Sequence, residues 1–325
     1  MNRGLIFAVS ALALLLGSQP ASAQSYSRGQ NASPAFEGWE RDADGSRYFL
    51  FGYMNRNWEE ELDIPVGPDN NIEPGGPDQG QPTHLLPRRN RFVFRVPVPP
   101  NFTEKDEMIW TLTTKGKTEK AYATLRTDYF VDGVVRASEH GALGAGTSSP
   151  ETRANIAPTV KLDGEKNRTA KVGQPLTLVA WTTDDGVPKP RFRGVQGERT
   201  VTQRGGTVPP ATANREAPLV NPVNPNWTPP RQSTVGSATG LRFSWFVYRG
   251  AGGVTFSPEQ NKVWEDTRAG ANSPWAPRWV APPVPADGKW TTQVTFDKPG
   301  TYTLRAFASD GALDDGEDII VTVTN

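Results

Sequence analysis

The chain contains no cysteine. This absence excludes disulfides, zinc–thiolate sites, thiol nucleophiles and attachment through a lipidated N-terminal cysteine. Histidine is scarce as well, with only His84 and His140. Neither histidine has a second ligand at the spacing of a known metal motif. The fold must therefore be stabilised by burial of an apolar core, without covalent or thiolate-bound metal cross-links.

The sequence also lacks an excess of charge of either sign, with 35 Lys and Arg residues against 35 Asp and Glu residues. Without a basic surplus to neutralise phosphates, nucleic acid is not expected as a partner. After the N-terminal segment, no apolar run approaches the roughly 20 residues that cross a bilayer as a helix. No membrane span is therefore expected once that segment has been removed.

The N-terminal segment has the pattern of a signal peptide. Arg3 supplies a positive charge, residues 5–16 are almost entirely apolar, and residues 21–23 read Ala-Ser-Ala. Signal peptidase cleaves after small residues at such spacing, so residues 1–23 are predicted to be removed. The apolar run is too short for a spanning helix. The mature protein is therefore expected to be exported, either to a periplasm or to the extracellular space.

Short alternating stretches, punctuated by 30 prolines and 32 glycines, predict an all-β protein. At Met108, Trp110 and Leu112, for example, apolar residues recur at every second position, which is typical of strands with one buried face. Residues 42–45 (Asp-Ala-Asp-Gly) predict a hairpin turn. We find no amphipathic helical pattern after residue 23, so two β-sandwich domains are expected.

The predicted domain boundaries follow changes in composition. The first domain spans residues 33–136 and includes a loop at 64–90, rich in Pro, Gly, Asp and Asn, of a length that indicates function or disorder. A linker of small and polar residues follows at 137–155. The second domain spans 156–325, where Phe243, Trp245 and Val247 alternate with outward-facing residues.

Five short motifs lie in the second domain at residues 172–178 (VGQPLTL), 184–186 (DDG), 243–245 (FSW), 299–302 (PGTY) and 308–311 (ASDG). In these motifs the chain resembles the PKD-type immunoglobulin-like domains of bacterial surface and secreted proteins. The resemblance implies a two-sheet sandwich with Trp245 in the core and Tyr302 near the start of a late strand. Residues 187–240 and 260–289 are long insertions relative to such domains. The family implies adhesion, spacing or presentation, and no chemistry.

Aspartates are concentrated in two loops that an immunoglobulin-like sandwich brings to the same end. They are Asp184, Asp185, Asp310, Asp314 and Asp315. Converging carboxylates supply the oxygen ligands that calcium prefers, so these five residues form a candidate calcium site. The alternative interpretation is that the Asp-Gly pairs only make tight turns.

An aromatic cluster is expected on the outer face of the second domain. If Trp245 points inward, Phe246 and Tyr248 point outward, and so does Phe307 on the expected neighbouring strand. Large apolar patches are seldom left bare, which favours the inserted residues 187–240 as a cover. The alternative is a binding surface for sugar rings or for another protein.

No catalytic motif accompanies these features. The acidic run of residues 59–61 and Asp63 is interpreted as charge protection of a strand edge, because paired catalytic carboxylates must face each other across a cleft. The sequence thus predicts a non-catalytic, exported adhesion, binding or structural protein whose partner is a protein or a polysaccharide. An accessory carbohydrate-binding protein is the alternative, and an enzyme with a carboxylate site in the first domain is a third.

Overall fold

The structure is a computed structural model that describes residues 27–140, 149–190, 238–251, 253–264 and 282–325, together with 202–203, 206–207 and 235. The predicted signal peptide and most of both predicted insertions lie outside these residues. Within the described ranges, no helix is long and apolar enough to cross a membrane.

Strands make up most of the regular structure, and their bounds in chain order are β1 (Ala32–Arg41), β2 (Arg47–Asn55), β3 (Leu62–Asp63), β4 (Asn70–Glu73), β5 (His84–Leu85), β6 (Arg88–Pro97), β7 (Met108–Thr114), β8 (Lys117–Ala123), β9 (Thr159–Leu162), β10 (Asn167–Lys171), β11 (Leu176–Thr183), β12 (Thr202–Gln203), β13 (Gly206–Thr207), β14 (Arg242–Arg249), β15 (Val254–Ser257), β16 (Lys289–Phe296), β17 (Gly300–Ser309) and β18 (Asp314–Thr324). A 3₁₀ turn spans Thr127–Tyr129, and two α-helices, α1 (Gly133–His140) and α2 (Pro150–Ala154), lie between the two sets of strands. The all-β class predicted from the sequence is confirmed.

The first sandwich consists of strands β1–β8. One sheet has the order β1-β2-β6, the other has the order β4-β7-β8, and β3 pairs with β5. Aromatic residues of the first sheet meet apolar residues of the second, because strand alternation turns one face of each sheet inward. The main contributors to this shared core are Phe49, Phe51, Phe94, Met108, Trp110 and Leu112.

The predicted hairpin at residues 42–45 joins β1 to β2. The carbonyl of Asp42 accepts a hydrogen bond from the Gly45 N–H at 3.0 Å, and Gly45 has a φ of 89°. Glycine adopts this left-handed conformation without steric cost, which explains its position in the turn.

The segment predicted as a long loop at residues 64–90 is packed into the first sandwich. The buried side chain of Asn70 donates to the carbonyls of Ile64 and Pro82, both at 2.9 Å. The side-chain oxygen Oδ1 of Asn70 accepts a hydrogen bond from the indole N–H of Trp110 at 2.9 Å. One amide therefore satisfies backbone groups that irregular structure would otherwise leave unpaired inside the protein.

The second sandwich consists of β9–β11 and β14–β18, in two four-stranded sheets of order β15-β16-β11-β9 and β10-β18-β17-β14. Lettered along the chain, with β9 as A and β10 as A′, the sheets read D-E-B-A and A′-G-F-C. That is the strand order of an immunoglobulin-like sandwich. Strand β10 (A′) pairs in parallel with the last strand, β18.

Two core residues of the second sandwich match the immunoglobulin-like pattern. Trp245 on β14 is 1% exposed, in agreement with its predicted position in the core. The hydroxyl of Tyr302, near the start of β17, donates to the carbonyl of Lys298 at 3.0 Å. This bond to the backbone a few residues upstream is the tyrosine corner of such folds.

The expectation that no helix follows residue 23 is wrong, because α1 crosses the predicted boundary between residues 136 and 137. An eight-residue helix is too short to be stable alone, so its stability comes from tertiary contacts. The buried Ala137 faces inward, and Arg136 and His140 lie against the ring of Phe92. The predicted linker is thus helical at both of its described ends, in α1 and in α2.

We predict that Trp245→Ala lowers the free energy of unfolding by about 3–5 kcal/mol, as truncation of a large core residue does. Phe246→Ala, at the next position on the same strand, should cost less because Phe246 is only partly buried. Urea unfolding of the two variants measures both values. A larger loss for Phe246→Ala would contradict this description of β14.

Candidate functional site at the junction of the two sandwiches

Strand β14 is buried on both faces, and each face belongs to a different core. Phe243, Trp245 and Val247 lie in the core of the second sandwich. Tyr248 is 3% exposed and lies in the core of the first sandwich, against which Phe246 also packs. The first sandwich therefore covers these two predicted surface aromatics, where the sequence favoured residues 187–240 as the cover.

Phe307, the third aromatic of the predicted binding surface, lies on β17 beside Phe246. Their ring centroids are 6.0 Å apart in an edge-to-face arrangement, and Phe307 is partly buried. The structure thus brings the predicted aromatics together at the junction. Tyr248 is not accessible to a ligand in this arrangement.

Arg305 on β17 connects the two sandwiches through its guanidinium group. Its Nη1 donates to the carbonyl of Val93 in β6 at 2.6 Å, and its Nε and Nη2 donate to the Asp318 carboxylate at 2.7 and 2.8 Å. The guanidinium also lies 3.7 Å from the centre of the Tyr248 ring. Burial alone would lower the pKa of Arg305, but Tyr248 and Asp318 outweigh it and raise the pKa. This largely buried cation is therefore paired with a carboxylate and bonded to a backbone carbonyl.

Further polar bonds join β14 to residues 78–83 of the first sandwich. The Tyr248 hydroxyl donates to the carbonyl of Gly80 at 2.5 Å, and Arg249 makes two bonds to the Asp78 carboxylate at 2.7 and 3.1 Å. The N–H of Thr83 donates to the Tyr248 carbonyl at 3.2 Å. The segment predicted as a loop thus supplies several of the bonds to the second sandwich.

Asp314, one of the five predicted calcium ligands, contacts two side chains of α1. Its carboxylate lies 2.9 Å from Arg136 Nη2 and 2.7 Å from His140 Nε2. Burial alone would raise the pKa of Asp314, but the charge of Arg136 and the bond to His140 lower it to about 2. Asp314 therefore attaches α1 to the second sandwich.

The pKa values of Asp310 and Asp184 are raised, whereas that of Asp314 is lowered. Asp310 has no exposed surface, and burial raises its pKa despite hydrogen bonds from the N–H groups of Leu313 and Ala312. Burial also raises the pKa of Asp184, and the nearby charge of Asp310 adds to that effect. The side-chain oxygens Asp184 Oδ1 and Asn155 Oδ1 are buried without a hydrogen-bond partner.

The remaining two predicted ligands bind backbone groups. Asp315 accepts a hydrogen bond from the N–H of Val160 at 2.9 Å, and Asp185 accepts from Ile156 at 3.1 Å. The loop that contains Asp185 and the loop that contains Asp315 therefore both contact residues 156–160, at one end of the sandwich. In the described part of the chain, no group of three or more His, Asp or Glu side chains is arranged to hold a metal. Calcium binding stays a prediction.

A buried histidine bridges two carboxylates in the first sandwich. His84 on β5 lies 2.6 Å from Asp63 and 3.0 Å from Glu61. Burial alone would lower the pKa of His84, but these two hydrogen bonds raise it to about 9. The acidic run that the sequence assigned to a strand edge thus compensates a buried imidazolium. The two residues of the Asp63–His84 pair lie on separate short strands, so no sequence motif shows it.

The structure also exposes an aromatic pair that was not predicted from the sequence. Tyr129 and Phe130 are 46% and 45% exposed, and they directly precede the buried Val131. Three consecutive apolar residues at 129–131 do not fit the alternation of a strand with one buried face. That run at residues 129–131 is the signal that could have identified them.

Comparison with known proteins gives no family. No family model matches the chain, and no curated protein matches it. Among solved structures, it is similar to the D00-D0 domain of intimin, with 10% identity over 90% of this chain and 100% of that chain at a TM-score of 0.22. It also matches the S-layer protein rSbsC(31-844), with 9% identity over 91% of this chain but 28% of that one, at a TM-score of 0.20.

The adhesin InvE of Yersinia pseudotuberculosis gives a similar result, with 9% identity, coverage of 93% of this chain and 61% of that chain, and a TM-score of 0.21. TM-scores at this level support no functional inference. The sandwich assignment rests on the strand order described above.

We predict that Asp314→Asn makes the free energy of unfolding less dependent on pH. Because folding lowers the Asp314 pKa from 3.8 to about 2, its carboxylate stabilises the fold above about pH 4, and this contribution disappears as the pH falls towards 2. The shift corresponds to about 2 kcal/mol. Urea unfolding measures the free energy of unfolding at pH 7 and at pH 2.5. The difference between these two values should be smaller for the variant than for the wild type. Equal differences for wild type and variant would contradict the assignment.

We also predict that millimolar calcium raises the melting temperature of the full chain through Asp184 and Asp310. A cation would neutralise two carboxylates whose charge burial disfavours, and binding to the folded state stabilises it. The double variant Asp184→Asn, Asp310→Asn should lose the calcium increment, whereas Asp314→Asn should keep it. A wild-type melting temperature that is the same in calcium and in chelator would refute the prediction.

Proposed function

We propose that this chain is an exported, non-catalytic binding or structural protein of the cell envelope or extracellular space. The observation that carries the proposal is the role of three largely buried ionisable groups. Arg305, Asp314 and His84 are each paired at hydrogen-bond distance with oppositely charged groups. Each of these groups therefore serves to connect strands or helices.

A catalytic acid or base must reach the proton that it transfers in a bound substrate. The Arg305 guanidinium has its donors directed at Asp318 and Val93, and the Asp314 side chain is 7% exposed beneath Arg136 and His140. Groups that are enclosed and paired in this way are suited to holding the two sandwiches together. This supports a protein that acts through its outer surfaces.

Export is supported by the N-terminal pattern of residues 1–23. A PKD-type identity for the second sandwich is supported by the five motifs and by the immunoglobulin-like strand order. Domains of that type imply adhesion, spacing or presentation. A fixed pair of sandwiches would present its surfaces in a constant relative orientation.

A role as an accessory carbohydrate-binding protein is the second candidate. The exposed pair Tyr129 and Phe130 favours it, because nearly half of each ring is accessible. Protein and polysaccharide partners remain the two classes to be separated by experiment.

We expect the chain without residues 1–23 to co-sediment with an envelope preparation of the source organism in a saturable manner. The same protein should not hydrolyse a panel of nitrophenyl glycosides. Sedimentation with bare phospholipid vesicles is the control, since the proposal does not involve lipid.

Absence of saturable envelope binding would contradict the binding proposal. Glycoside hydrolysis that disappears in Asp63→Asn would contradict its non-catalytic part and favour an enzyme with a carboxylate site in the first sandwich.

A further inference from the structure

The aromatic pair Tyr129 and Phe130 is held in place by residues of β1. The Tyr129 ring lies 5.4 Å from the Phe36 ring, and the Phe130 ring lies 4.9 Å from the Trp39 ring. The indole N–H of Trp39 donates to the carbonyl of Arg126 at 2.9 Å. Each exposed ring thus rests on a partly or fully buried ring, and its position is fixed before any ligand arrives.

The backbone of β1 is shaped to admit this segment. A register shift lies between Phe36 and Gly38, and Gly38 has a φ of 127°. A Cβ at Gly38 would lie only 2.6 Å from the carbonyl oxygen of Tyr129, and the Val131 N–H donates to the Trp39 carbonyl at 2.9 Å. Only glycine permits this close approach. Backbone contacts therefore hold the pair, although neither aromatic ring is buried.

The exposed area indicates the size of the ligand. A tyrosine or phenylalanine side chain offers roughly 200 Å², so the two half-exposed rings present on the order of 200 Å² together. A stable protein interface buries about 1,200–2,000 Å² in total. The pair alone offers only a small part of the area that a protein interface needs, so a small ligand such as a sugar ring suits it better.

The surroundings of the pair suit the same class of ligand. The three preceding residues, Arg126, Thr127 and Asp128, are all exposed. Their side chains carry donors and acceptors of the kind that bind sugar hydroxyls. The face of an aromatic ring carries negative charge density, which attracts the weakly positive C–H groups on one side of a pyranose ring.

We propose that Tyr129 and Phe130 form a carbohydrate-binding site that stacks on a pyranose ring of a glycan, with the exposed side chains of residues 126–128 binding its hydroxyl groups. The inference rests on the proposed function as a binding protein and names its ligand class. The covered aromatics of β14 are a separate set and take no part in it.

Isothermal titration of the chain without residues 1–23 tests the site. The probes are hexasaccharides of β-1,4-linked glucose, xylose, mannose and N-acetylglucosamine. We expect binding of at least one, weakened at least tenfold by Tyr129→Leu and by Phe130→Leu. Leucine keeps apolar contact with Phe36 or Trp39 but lacks an aromatic face. The matched control is Tyr122→Leu, because Tyr122 on β8 is 49% exposed, and its affinity should stay within twofold of wild type.

Melting curves establish that each variant is folded. Arg126→Ala is a second variant that leaves the ring contacts in place, and it should weaken binding at least threefold. Failure of the wild type to bind any of the four hexasaccharides would overturn the ligand class. Unchanged affinity in Tyr129→Leu and Phe130→Leu would overturn the site. Either result would leave saturable envelope binding intact, whereas failure of the proposed function would abolish that binding in the wild type.

Discussion

The paired charge of Arg305 determines how the two sandwiches meet. A guanidinium taken out of water is tolerated only if its donors are satisfied, since an uncompensated buried charge costs several kcal/mol. Its partners lie on three elements: Val93 on β6, Tyr248 on β14 and Asp318 on β18. Satisfying one side chain therefore requires a strand of the first sandwich to lie against the outer face of the second.

The other contacts of the junction extend this arrangement at its two sides. On one side, Arg249 and Tyr248 bind residues 78–81. On the other side, Arg136 of α1 binds Asp314. Because these bonds surround the apolar contacts of Phe246 and Tyr248 with the first core, a sliding movement would break several contacts together. The arrangement is consistent with a protein whose surfaces act at fixed relative positions.

The alternation of side chains along the strands made much of the fold predictable from the sequence. It predicted that Trp245 faces a core while Phe246 and Tyr248 face away, and the structure agrees. It could not show what covers the outer face, because Val93 and Arg305 are 212 residues apart along the chain. The two aspartate loops were also predicted to meet at one end. The pairing of Asp314 with α1 was hidden, since an eight-residue helix has too little periodicity to be recognised.

The double burial of β14 has a consequence for modularity. Immunoglobulin-like sandwiches are commonly treated as independent modules, each of which can be moved between proteins. In this chain, however, Phe246 and Tyr248 of β14 pack against the core of the other sandwich. Grafting the second sandwich elsewhere would expose Phe246 and Tyr248 to water, and a graft of the first would lose the ring that completes its core. Recombination would thus be expected to move the two sandwiches together as one unit.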